Sequence, residues 1–106
     1  MKPVFKPYYA VIFTSTQTDM TEGYTEMAQK IEELATKQKG FLGVDSARDD
    51  VGITNSYWES LEDIMNWKQH TDHLMAQQKG KTKWYRWYNV RICRVEREYE
   101  FNLVAM

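Results

Sequence analysis

The sequence has little of what usually staples a small chain together or ties it to a charged partner. It holds one cysteine, Cys93, in 106 residues, so no intrachain disulfide can form and no thiol pair stands at metal-ligand spacing. Cys93 falls in a strand-like run and reads as a buried, inert thiol. Two prolines and five glycines are too few for a linker, a repeat array or a disordered tract. No apolar run approaches membrane-spanning length, and Lys2, Pro3, Lys6 and Pro7 interrupt the first stretch. Neither a membrane span nor a leader is therefore expected, and cytoplasm is the expected compartment. With 14 basic and 15 acidic residues the net charge is -1, which offers no global attraction to nucleic acid or to an anionic membrane.

Aromatic residues are plentiful, at 14% of the chain with four Trp and seven Tyr. They supply core, subunit-interface area or the walls of a pocket for a flat ligand. The length suits one domain spanning residues 1–106, with its core at about 8–101. Residues 8–16 read as a strand. From Tyr24 the apolar positions Met27, Ala28, Ile31, Leu34 and Ala35 recur at helical spacing, and Gly40 follows as a stop signal. Phe41 to about Arg48 and the run from Ile53 to Trp58 read as two strands joined at Asp49-Asp50-Val51-Gly52 into a hairpin. Ser60 before Glu62 and Asp63 marks the start of a second helix, which places Leu61, Ile64, Met65 and Lys68 inward and Trp67, His70, Thr71 and Leu74 along one flank. Gly80 breaks that helix. Lys81 to Trp87 reads as an amphipathic connection, and Tyr88 to Phe101 as a long last strand.

The predicted order is strand, helix, strand, strand, helix, strand: α+β, the ferredoxin-like βαββαβ arrangement, one antiparallel sheet with two helices on one face. Tyr8 to Phe13 is apolar without a break, Phe41 to Val44 follows suit, and Ile53 and Tyr57 alternate with Trp58. Strands apolar on both faces are strands buried on both faces. Two helices cover only one, so the other is expected to meet a second copy, giving a dimeric α+β barrel.

Several strings in that order carry a family likeness: Tyr9-Ala10-Val11-Ile12-Phe13-Thr14-Ser15, Gly40-Phe41-Leu42-Gly43, Ser56-Tyr57-Trp58-Glu59-Ser60, Trp67-Lys68-Gln69-His70, and Gly80 followed by Trp84-Tyr85. Together, over roughly residues 8–101, the chain resembles the antibiotic biosynthesis monooxygenase (ABM) domain family of dimeric α+β barrels. The resemblance implies a homodimer with a small-molecule pocket in each subunit, between helices and sheet. It also implies either oxygenation of aromatic phenols without metal or flavin, or, in another branch, haem binding. Trp67 matches the helix-two Trp of both groups. Strand one carries Thr14, Ser15 and Thr16 where the haem group has Asn, and around Trp67 the positions of the first group's Asn and Tyr hold Asp63 and His73.

Cofactor-free oxygenation needs a base, a dry pocket and donors aimed at a developing oxyanion. Histidine suits the base, and the chain has two, His70 and His73. His70 lies one turn beyond Trp67; His73 occupies the position the resemblance favours. Either also reads as a surface or capping residue near a helix end, and Trp67 as core filler. Asn55, in an otherwise apolar strand, faces a pocket or bonds across the dimer. Tyr57, Asp63, Trp84 and Tyr88 are the remaining candidates for ligand contact. No cofactor is expected: His70 and His73 with Asp63 or Asp72 do not form an H-E-x-x-H-like set, and no phosphate-binding Gly motif is present. The stretch Lys39-Gly40-Phe41-Leu42-Gly43-Val44 mimics an RNA-recognition motif but straddles a helix end and strand two, so it cannot splay its aromatics on an open sheet. The functional expectation is a cofactor-independent monooxygenase for an aromatic or quinone-like small molecule. The alternative is a barrel that binds a small molecule, or haem, without turning it over.

Overall fold

The computed structural model describes residues 4–76 and 83–104. Its elements are β1 (Tyr8–Gln17), α1 (Tyr24–Ala35), β2 (Phe41–Arg48), β3 (Gly52–Trp58), α2 (Leu61–Ala76) and β4 (Tyr85–Val95). The order is the ferredoxin-like one read from the sequence. All pairings are antiparallel and the strands lie side by side as β2-β3-β1-β4. Among the described residues no helix is long and apolar enough to cross a membrane.

Register assigns every side chain to a face, because directly opposed residues of an antiparallel pair point the same way. Tyr9, Val11, Phe13 and Ser15 of β1 share one face with Trp58, Ser56, Thr54 and Gly52 of β3, and with Arg94, Ile92, Val90 and Tyr88 of β4. Both helices lie on this face: Trp58 meets Trp67 of α2, and Arg48 of β2 meets Tyr24 of α1. The other face carries Tyr8, Ala10, Ile12 and Thr14 with Ile53, Asn55 and Tyr57, and with Asn89, Arg91, Cys93 and Val95. Among the described residues no helix covers it, and Ile53 and Cys93 are exposed there. The buried thiol read from the sequence is thus an exposed one in the single chain.

The helix ends differ in how they are made. Ser60 Oγ accepts a bond from the Asp63 amide at 3.1 Å, the expected hydroxyl cap. At the start of α1 the capping position is Gly23, at φ 82° and with no side-chain cap. Glycine adopts that left-handed backbone without the Cβ penalty other residues meet. The inward stripe of α1 is as expected, with Met27 and Ala35 buried. In α2 it lies further round: Asp63 and Ile64 are buried, whereas Leu61 and Met65 are exposed. The α1 helix ends at Ala35 with Thr36 as its cap, and Gly40 comes after a further turn, again at φ 82°. A side chain on Gly40 would overlap the Asp63 carboxylate, so the link between α1 and β2 packs directly under the first turn of α2.

The last strand stops at Val95, where its ladder runs out opposite Tyr8, rather than continuing to Phe101. Pro7 precedes Tyr8 and has no N–H to donate, so β1 offers nothing further to pair with. Residues 96–104 join no ladder, and Tyr99, Phe101 and Leu103 are exposed. The expected break at Gly80 and the first two residues of the connection from Lys81 fall outside the described residues, and β4 begins at Tyr85, three residues before the expected start at Tyr88.

Candidate functional site

At one end of the helix-covered face, three aromatic rings form a stair from the core to solvent. Trp58, at the end of β3, is completely buried; its indole N–H donates to Ser56 Oγ at 2.9 Å. The ring of Trp67 stacks on it at 5.8 Å and 30°. One turn on, the imidazole of His70 stacks on Trp67 at 5.7 Å and 16°. Trp67 is half-buried and His70 exposed. Positions i and i+3 lie on one side of a helix, so the sequence spacing put these two rings together. Phe41 closes the inner end against Trp58 at 5.5 Å, edge to face. His73, three residues beyond His70 in the last turn of α2, is exposed. Asp63 is buried against Gly40 in the first turn, where its position serves the packing of α2 on the chain below.

The other candidates are not gathered around Trp67. Asn55 and Tyr57 alternate with Ser56 and Trp58 and therefore stand on the uncovered face. There the Tyr57 hydroxyl donates to Asp45 Oδ2 at 3.0 Å. Burial, then that bond to a carboxylate, raises the Tyr57 pKa above its ordinary value. Asn55 Oδ1 is buried and unpaired, as is Asn89 Oδ1 on the same face. Trp84 is buried; its N–H donates to the Glu22 carbonyl at 2.8 Å and its ring meets Tyr24 edge-on at 5.5 Å. It locks the β1–α1 connection to the start of β4. Tyr88 stacks on Phe13 at 5.4 Å, on the helix-covered face but at the end away from Trp67.

That second end holds a cluster the sequence did not reveal. Arg48, the last residue of β2, donates from Nη2 to the hydroxyl of Ser15, which is fully buried. Its guanidinium carbon lies 5.7 Å from the centre of the Tyr24 ring. The Tyr85 hydroxyl donates to that of Tyr24 at 3.4 Å, and Tyr85 packs edge-on against Phe13 at 5.5 Å. Burial and the bond to Tyr24 push the Tyr85 phenol well above its ordinary pKa, so it is a neutral donor at any physiological pH. Residues from β1, α1, β2 and β4 converge here. The available signal was Gly52 facing Arg48 across the hairpin, since a glycine inside a strand often marks a close approach.

Comparison with known proteins agrees with this architecture. Residues 7–79 match the sequence profile of the family described as antibiotic biosynthesis monooxygenase. The chain belongs to that family. Its relative YqjZ of Bacillus subtilis (strain 168), an uncharacterized protein, is 48% identical over 94 residues, covering 87% of this chain and 82% of YqjZ. Two solved structures share the fold at low identity. SnoaB from Streptomyces nogalater, a cofactor-independent oxygenase, superposes with a TM-score of 0.64 at 6% identity, over 90% of this chain and 97% of SnoaB. MhuD from Mycobacterium tuberculosis, a haem degrader with two haems bound in its active site, gives 0.59 at 16%, over 87% of this chain and 99% of MhuD. The fold thus hosts more than one chemistry and does not by itself fix that of this chain.

Proposed function

We propose that this ABM-family chain is a cytoplasmic homodimer that oxygenates an aromatic or quinone-like small molecule without a cofactor. The single observation that carries the reading is the Trp58–Trp67–His70 stair, which sets an imidazole at the outer edge of a stacking surface. A flat, electron-rich substrate stacks along Trp67, and His70, or His73 one turn on, takes its acidic proton. For an anthrone-like substrate the resulting anion passes one electron to dioxygen, and the radical pair joins to a hydroperoxide. Loss of water then leaves a carbonyl where the methylene was. The substrate supplies all four electrons; one oxygen atom enters the product and the other leaves as water. Haem finds a poorer fit. Strand one holds Thr14, Ser15 and Thr16 where the haem branch has Asn, and the Ser15 hydroxyl is already engaged by Arg48.

The second copy is supported by the uncovered face, where Ile53 and Cys93 are exposed on strands that carry apolar side chains on both sides. Residues 97–103 repeat the argument: Arg97, Tyr99, Phe101 and Leu103 alternate with Glu98, Glu100 and Asn102, a pattern that calls for a surface on one side.

Oxygen uptake with anthrones, hydroquinones and naphthols tests the activity. Replacing the basic histidine with alanine is expected to lower turnover by roughly a hundredfold with the fold intact. Trp67→Ala is expected chiefly to raise KM. Uptake indifferent to His70→Ala, His73→Ala and Trp67→Ala would move the site elsewhere, and no uptake above a protein-free blank would leave a ligand-binding barrel. Light scattering at micromolar concentration is expected to give twice the chain mass; a monomer would remove the dimer.

A further inference from the structure

We propose that Arg48, with Ser15 and Tyr24, is the anchor for a planar carboxylate carried by an aromatic ligand. The inference rests on the reading above only in bringing an aromatic molecule to the helix-covered face; it requires no oxygen chemistry.

Arg48 is exposed, but its head is tied to the sheet by its bond to Ser15. Gly52 stands directly across the hairpin from it, and any side chain there would overlap the guanidinium. The absence of a Cβ at Gly52 is therefore what lets the Arg48 head lie across the sheet towards β1. There it spends one N–H on Ser15 and sits over the Tyr24 ring, a cation–π placement. A guanidinium has five N–H donors in a rigid fork.

Among the described residues no acid pairs with it to consume the remainder. The ion pairs among the described residues are Lys68–Asp72 and Arg94–Glu96; Asp49 and Asp50, next to Arg48 in the turn, do not pair with it. A positive charge oriented by a buried hydroxyl, lacking its own carboxylate and carrying unspent parallel donors is the complement of a planar two-oxygen anion. The surroundings select the rest of the ligand. Phe13 and Tyr88 stack at 5.4 Å and 22°, and Tyr85 stands against both Phe13 and Tyr88, so the anion site opens beside aromatic walls. Tyr85 donates to the Tyr24 oxygen, which leaves the Tyr24 proton to be given outward.

Titration calorimetry on the full chain, in its solution oligomeric state, compares 2-naphthoate with its neutral isostere 2-naphthamide. The wild type is expected to bind the acid at least about tenfold more tightly. Arg48→Gln is expected to abolish the preference without weakening the amide. Arg48→Lys keeps the charge without the fork and is expected to retain only part of it. Gly52→Ala, which displaces the guanidinium without removing it, is expected to behave like Arg48→Gln. Thermal melts confirm that each variant is folded, and should Arg48→Gln not fold, Gly52→Ala and Arg48→Lys decide. Equal affinity for acid and amide in the wild type, no binding of either, or a preference that survives in the folded variants would overturn the proposal. An Arg48-dependent preference without oxygen uptake on any substrate would keep this site and remove the oxygenase; uptake without the preference would do the reverse.

Discussion

The two ends of the helix-covered face are built by opposite means. At the Trp67 end, a single helix lays rings over the end of β3 at one-turn spacing, and the result is an apolar stair that finishes in a histidine. At the Arg48 end, side chains arrive from four elements distant in sequence and make a polar cluster of one guanidinium, one hydroxyl and two bonded phenols. Gly52 and Trp58 mark the two ends on β3, about 20 Å apart at about 3.3 Å per residue. A bicyclic ligand can touch one end but not both. The face thus carries two side-chain clusters of different chemistry rather than one groove.

Three changes would break or sharpen that contrast, in descending order of effect. Trp58→Ala removes the completely buried foot of the stair and is expected to cost roughly 3–5 kcal/mol, read from denaturant unfolding. If the ends are independent, a temperature low enough to keep this variant folded should preserve the acid-over-amide preference at Arg48. Loss of that preference in the folded variant would merge the two sites into one. The next change is visible only in alkali. Folding raises the Tyr85 pKa above the ordinary 10.0, so over the interval between the unfolded and folded values the native state holds a proton that the unfolded chain has lost. Its stabilisation is whole below about pH 10 and is lost as pH rises through the folded value. Unfolding midpoints are expected to fall above pH 10, and less steeply in Tyr85→Phe. Tyr57 and Tyr8 act in the same direction, Tyr8 being raised to about 12 chiefly by its bond to Glu98, so some slope should persist. An unchanged slope in Tyr85→Phe would mean that phenol is as solvated as a free one. The smallest effect belongs to Lys68→Ala on the solvent side of α2, whose pair with Asp72 at 2.7 Å is exposed on both partners. No measurable change in the unfolding midpoint is expected; a clear one would mean that the outer side of α2 is engaged in the assembled protein.

The contrast also explains which parts of the molecule could be read from the residues. Element order and the hairpin followed from short-range patterns: β2 spans Phe41–Arg48 as expected, and β1 runs one residue further than expected, to Gln17. Trp67 and His70 met because helical spacing is a local rule. Asn55 and Tyr57 were separable from Trp58 by strand parity, but parity does not say which face the helices take, so both stayed candidates for a pocket they do not line with Trp67. The last strand was read too long because Tyr99, Phe101 and Leu103 keep the alternation of a strand after β1 has ended. Arg48 was passed over because its environment depends on the β2–β3 register and on a shift in the β1–β4 register at Thr16/Gln17. Neither is encoded within any short window.

The strand order has a consequence for how the molecule comes together in time. β1, the first element of the sheet, lies between β3 and β4, so one of its edges stays unpaired until the last strand closes on it. The hairpin, α2 and β1 can assemble the Trp58–Trp67–His70 stair beforehand, whereas Tyr85 and Tyr88 ride in on β4. Pairing Tyr8 with Val95 closes nearly the whole chain into one loop, the kind of long-range contact that slows folding. During that interval β1 presents a free apolar edge, which is when the chain is most exposed to self-association. The aromatic wall that Tyr85 and Tyr88 bring to the Arg48 end is therefore the last part of it to arrive, and its completion reports that the chain has finished folding.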